Sequence, residues 1–176
     1  MVKQKFGARK LLAAGVAALA IGAASSTDAA TATSNLSVTA SVTANCTIST
    51  TAVAFGAYDP VVTNATTALN GTGTVSVNCT SGDSTTVTLG QGANAGTGST
   101  DAAPARRLND GGSDFLNYTL YQDTGRSTVW GNTTGTGVAY TGTGLVTVLT
   151  VYGAVAAGQN VPAGSYTDTV VATITF

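Results

Sequence analysis

Apolar and polar residues alternate with period two along much of the chain. The first such run is Leu36-Ser37-Val38-Thr39-Ala40-Ser41-Val42-Thr43-Ala44-Asn45-Cys46. Leu36, Val38, Ala40, Val42, Ala44 and Cys46 share one face, and Ser, Thr and Asn take the other. That spacing predicts a half-buried β-strand. Further strands are predicted at 53–56, 74–79, 85–89, 115–121, 127–130, 145–152 and 165–176, with a short one at Val138 and Tyr140. In the last run Tyr166, Val170, Ala172, Ile174 and Phe176 share a face that only Asp168 interrupts. The connections carry Gly, Asn, Asp, Ser and Thr, as turns require. Gly90 to Thr100 reads as a flexible loop, and Asn109-Asp110-Gly111-Gly112 as a tight turn. Beyond residue 30 no segment has helical periodicity. The fold class is all-β, an antiparallel sandwich.

The N-terminus follows a different pattern. Lys3, Lys5, Arg9 and Lys10 precede an apolar stretch from Leu11 to Ala24, and small residues follow, including Ala30-Thr31-Ala32. This is the layout of a secretory signal peptide over residues 1–30, with cleavage anywhere from 24 to 32. The apolar run is too short for a membrane span of about 20 residues. Removing residues 1–30 leaves about 145 residues, enough for one domain with a single core. Three Arg and seven Asp remain, a net charge of −4, with no Lys, Glu or His. So few cations leave no phosphate-neutralising surface, which excludes nucleic acid and anionic membrane as partners. The chain has 33 Thr and 22 Gly, which reinforces the strand-and-turn reading.

Export implies an oxidising compartment, and the chain has two cysteines, Cys46 and Cys79. Both lie on the apolar faces of their strands and are expected to form a structural disulfide. Catalytic chemistry finds little support. Without His there is no Ser-His or Cys-His pair, and the scattered Asp residues suggest no carboxylate dyad. The expectation is a non-enzyme without cofactor or metal. Asp110 and Asp114 read as turn residues, Arg106 and Arg107 as exposed arginines beside that turn, and the aromatics, Trp130 among them, as core or rim. A carbohydrate-binding module that uses Trp130 or a surface Tyr is the weakest of the functional readings.

The C-terminal run reaches Phe176 still in strand pattern, whereas the run over 36–44 is surplus to the body. A sandwich one strand short has an unpaired edge and an open core. A surplus strand of one molecule could fill that gap in its neighbour, which is β-strand addition. At this point the sequence resembles the spore coat protein U domain family, which includes the major subunits of archaic (Csu-type) chaperone–usher pili. The resemblance rests on Ala44-Asn45-Cys46-Thr47-Ile48, Phe55-Gly56, Val75-Ser76-Val77-Asn78-Cys79 and Arg107-Leu108. It continues through Leu116-Asn117-Tyr118-Thr119-Leu120-Tyr121-Gln122-Asp123, Val151-Tyr152-Gly153 and Pro162-Ala163-Gly164-Ser165-Tyr166-Thr167-Asp168-Thr169-Val170 to Phe176.

The resemblance implies an incomplete immunoglobulin-like antiparallel β-sandwich completed by donor-strand complementation. Residues 31–45 would be the donor segment, with Leu36, Val38, Ala40 and Val42 as donor positions. Residues 46–176 would be the receiving domain, with Val170, Ala172, Ile174 and Phe176 bordering the acceptor groove and Cys46 bonded to Cys79. The implied partners are neighbouring copies of the same or related subunits, a periplasmic chaperone and an outer-membrane usher. The implied role is a structural subunit of an extracellular fimbrium that supports adhesion or biofilm formation. A secreted coat protein of the same fold, assembled without an usher, is the alternative. Ala40 departs from the branched residue expected in a deep pocket and implies a shallower one there.

Overall fold

The computed structural model describes residues 29–176, so the leader reading for residues 1–28 lies outside the described residues. Two units are distinct, one ending at Ala40 and a body from Ser41 to Phe176. Residues 29–45 carry no strand. The alternating side chains of Leu36, Val38 and Val42 are 84–87% exposed. The pattern predicts a strand here, but a strand exists only when its main chain has a ladder partner, and the described residues supply none.

The body is a two-sheet antiparallel sandwich of eight strands: β1 (Cys46–Thr51), β2 (Leu69–Cys79), β3 (Ser84–Leu89), β4 (Arg106–Asn109), β5 (Phe115–Tyr121), β6 (Val138–Thr141), β7 (Thr147–Val155) and β8 (Ala172–Thr175). One sheet has the order β1-β2-β7-β5-β4 and the other β6-β3-β8. Val75 and Val77 of β2, Leu116, Tyr118 and Leu120 of β5, and Val151 and Val155 of β7 point inward from the first sheet. Val87 and Leu89 of β3 meet them from the second. Trp130 is buried between the sheets and donates its indole N–H to the Val87 carbonyl at 2.8 Å. Its burial removes it from any sugar-stacking surface. Cys46 and Cys79 are direct partners across the β1–β2 ladder and form the disulfide, with Cα atoms 4.1 Å apart.

Several predicted elements differ in the structure. Val53 to Gly56 is not a strand but a strap crossing the inner face of the larger sheet. Gly71, Gly73 and Gly153 make that crossing possible by leaving a trough in β2 and β7. A Cβ on Gly153 would lie 2.7 Å from the Phe55 ring and 2.8 Å from Val53, and one on Gly71 would lie 2.9 Å from Phe55. The Phe55 ring meets Tyr118 edge-on at 5.9 Å. Only Val129 of 127–130 bridges to the ladder, at Tyr121. The 165–176 run splits into a bridge at Thr167 with Asn109 and then β8. The loop from Gly90 is tied rather than loose, since Gly90 N–H donates to the Val171 carbonyl (2.8 Å) and Ala93 N–H to that of Thr169 (3.0 Å).

The trough predicts a sharp contrast between two glycines. Gly153→Val should drive the strap off the sheet and cost about 1–3 kcal/mol, seen as a lower urea midpoint at an unchanged slope. Gly135→Ala, where an added Cβ meets nothing within 4 Å, should stay within about 0.5 kcal/mol of the parent.

Candidate functional site: an open apolar cleft beside a free strand edge

β1 pairs only with β2, and β8 only with β3. These two edges approach one another without pairing. Between them the core is open as two adjoining cavities of about 200 and 640 Å³ that share Val53, Phe55 and Leu108 as lining. The narrower cavity is walled by residues 50–53 on one side and by Asp168, Val170 and Ala172 on the other. Its floor is Val75, Leu89, Tyr118, Leu120 and Val151. The wider cavity continues between residues 53–61 and 160–166 over Leu69, Leu116 and Val155. The floor residues are themselves only 1–6% exposed, and what enters from this side meets first the half-buried Val53, Phe55, Leu108, Val170 and Ala172 that line the opening.

The wall formed by the C-terminal segment has a defined main-chain polarity. The carbonyls of Thr169 and Val171 accept from the 90–93 loop, and Thr167 exchanges both main-chain bonds with Asn109 at 2.8 and 2.9 Å. Main-chain groups alternate sides along an extended segment. Those of Asp168, Val170, Ala172 and Ile174 thus face the opposite, unpaired edge. The same four side chains are half-buried, and the odd-numbered ones between them are exposed.

The sequence-predicted border residues fall unevenly on this wall. Val170 and Ala172 line the narrow cavity. Ile174 is half-buried against the core, and Phe176 is 57% exposed and lines neither cavity. The predicted donor residues Leu36, Val38, Ala40 and Val42 are exposed. The sequence marks Val53 and Phe55 as a strand and not as the opposite wall, because the strap's place across the sheet is set by glycines elsewhere in the chain. Leu108 was likewise missed as a lining residue, since β4 has only four residues and too little alternation to register.

A polar cluster holds the wall in place. The Tyr118 hydroxyl donates to Asp168 Oδ2 at 2.7 Å. Asp168 Oδ1 accepts from the Asn94 main-chain N–H and the Asn94 side-chain amide, each at 3.2 Å. Burial, reinforced by the bond to Asp168, pushes the Tyr118 phenol up. Arg106 is not the exposed residue that its place beside a turn suggests; it is 1% exposed. β4 begins at Arg106 and turns it inward, where Nε donates to the Gly90 carbonyl (2.8 Å) and Nη2 to those of Leu89 (2.7 Å) and Trp130 (2.8 Å). Burial pushes its pKa down to about 10, opposed by the fields of Tyr118 and Asp168, so it stays charged at neutral pH. Arg107 is not the exposed residue expected either: it is half-buried, lies over the Phe115 ring at 3.9 Å, and donates from Nε to the Asn94 carbonyl (3.0 Å) and from Nη2 to that of Ala95 (3.1 Å). At the wide mouth Asp59 caps a tight turn by accepting from the N–H groups of Val61 and Val62 at 3.0 and 3.1 Å, which holds its carboxyl below the usual range. The cleft brings together apolar surface, hydrogen-bonded polar groups and an open ladder edge. That equipment suits binding an extended segment rather than bond-making chemistry.

The model of a family described as Spore Coat Protein U domain matches residues 32–173. The chain is 49% identical over 172 residues to a protein named Protein U from Myxococcus xanthus, covering 94% of this chain and 96% of that one. It also superposes, at a TM-score of 0.50 and 20% identity, on a chain of the CsuC–CsuE chaperone–tip adhesion subunit pre-assembly complex from the archaic chaperone–usher Csu pili of Acinetobacter baumannii. That match covers 77% of this chain and 40% of the other.

Arg106→Met should leave three interior carbonyls without their donor and lower unfolding free energy by about 3 kcal/mol or more in urea titration. Arg107→Met, which loses a half-buried stacked cation and its two carbonyl bonds, should cost about 1–3 kcal/mol, less than Arg106→Met.

Proposed function

The chain belongs to the Spore Coat Protein U domain family, and from that membership and the open cleft we propose that it is a structural subunit of an exported surface polymer, joined copy to copy by donor-strand exchange. Residues 1–30 act as the export leader, 31–45 as the donor segment and 46–176 as the receiving body. Leu36, Val38, Ala40 and Val42 of one copy enter the cleft of the next, and their main chain pairs with the edge within 166–174. The observation that carries this reading is the coincidence of a free strand edge with an open apolar floor, in a chain that also holds an exposed alternating segment of matching period. Burial of each Leu or Val contributes about 1.5–3 kcal/mol, to which the ladder adds its hydrogen bonds. A periplasmic chaperone would occupy the cleft before assembly, and an outer-membrane usher would order the exchange. The pilus-type neighbour supports the placement in a fimbrium, where adhesion or biofilm formation would be the consequence.

A second reading has its own support. Identity of 49% to Protein U along nearly its whole length, and the family's description, favour a coat-type structural protein that uses the same cleft without an usher. The two readings share the donor segment and differ in the machinery that loads it.

Deleting residues 31–42 while retaining the leader should yield an exported subunit that is bound by chaperone and forms no fibres in electron micrographs of the producing cells. Fibres of normal length from that deletion would end the strand-exchange reading. Fibres or coats from the intact chain in a host without an usher would favour the second reading.

A further inference from the structure

We propose that Asp168 sets the register of the entering strand, so that Ala40 of one copy lies opposite Asp168 of the next. This rests on the strand-exchange reading and adds to it which residue meets which.

The wall and the donor each carry one interruption. Along the wall, Tyr166, Val170, Ala172 and Ile174 are apolar or aromatic, and Asp168 alone is charged. Along the donor, Leu36, Val38 and Val42 are branched, and Ala40 alone is small. Every ladder of the body is antiparallel, and an antiparallel donor can place its inward side chains opposite the inward residues of the wall only in steps of two.

The Asp168 carboxylate is fixed from three directions. Tyr118 donates to one oxygen, and Asn94 donates twice to the other. The loop behind it closes so tightly that a Cβ on Gly92 would overlap Oδ2. It therefore stays at the lip of an apolar cleft with charge that still needs water. A branched side chain set against it strips that water without offering a hydrogen bond, whereas alanine leaves room. With Ala40 opposite Asp168, Val38 meets Val170 and Val42 meets Tyr166. Leu36, the largest donor side chain, meets Ala172, the smallest on the wall, which sets large beside small at that point. A slip of two residues in either direction puts Val38 or Val42 on the carboxylate and loses the Leu36–Ala172 match.

The register can be read by disulfide trapping on the exposed face. Thr169 turns its main-chain groups toward the loop, so a donor residue opposite it occupies a non-hydrogen-bonded pair, with Cα atoms about 4.5 Å apart. That lies within disulfide reach. The full chain carrying both Thr39→Cys and Thr169→Cys should give a covalent ladder on non-reducing gels of multimers recovered from exporting cells. Thr39→Cys with Val171→Cys, the slipped pair, should not. Ala40→Leu should lower multimer yield about tenfold or more. A ladder from the slipped pair, or normal assembly of Ala40→Leu, overturns the register and leaves strand exchange standing. Absence of any multimer from the unmodified chain, or a bridge confined to monomers, overturns both.

Discussion

An unpaired strand edge beside an apolar floor is the constraint that governs this molecule. The main-chain groups at 168, 170, 172 and 174 need hydrogen bonds, while the side chains beneath them need to be kept from water. Few covers satisfy both demands at once. A helix satisfies its own main chain and offers none to an edge, and a loop has no regular period with which to fill the floor. A partner that answers both must be extended, must donate and accept along one side, and must present an apolar residue at every second position. Residues 36–42 have that period. On the strand-exchange reading, the chemistry of the cleft thus selects the form of the segment that fills it.

An open core imposes a second demand, because the body has to hold its shape with the cleft unfilled. Two devices address it. The glycine trough lets Val53 and Phe55 lie on the inner face of the larger sheet, so that part of the missing strand's volume is supplied from within. The polar cluster of Arg106, Tyr118, Asn94 and Asp168 ties β4, β5 and the 90–94 loop to the C-terminal segment. Hydrophobic packing alone would let that segment collapse across the gap, since apolar contact has no preferred direction. A buried arginine with three carbonyl partners costs heavily when misplaced, so it fixes β4 against Leu89, Gly90 and Trp130, and Asp168 ties the wall to that frame through Tyr118 and Asn94.

Legibility from sequence followed the physics of each element. The strands with clean alternation and long ladders, β2, β3, β5 and β7, were readable because burial on one face imprints period two. β1 was missed, because beyond Ile48 its residues are all Ser and Thr and carry no apolar alternation, whereas the alternation of 36–46 reports which face is apolar and not whether a ladder partner exists. β4 was missed, having four residues and a buried arginine at its start. Val53–Phe55 carried the right hydrophobicity but lies across strands instead of among them, a placement set by glycines far along the chain. Asp168 registered in the sequence only as a flaw in an apolar face. Its three donors come from β5 and the 90–94 loop, and no local pattern announces contacts separated by 50 to 74 positions.

On the strand-exchange reading, the shape of the product follows from where donor and acceptor lie. The donor is residues 36–42 and the acceptor is the cleft bordered by 166–174, so the contact is heterologous, not self-complementary. Contacts of that kind propagate head to tail and close only when the rotation between copies happens to return on itself. Only Thr43, Ala44 and Asn45 separate Val42 from the bridged Cys46. Three residues span about 10 Å at most, so each body is tied close to its neighbour's cleft, and the linker has little freedom to permit alternative closures. The expected product is a thin chain of closely coupled bodies. A pilus and a coat built on this chain would share that unit, and the difference between them would lie in how many such chains associate side by side.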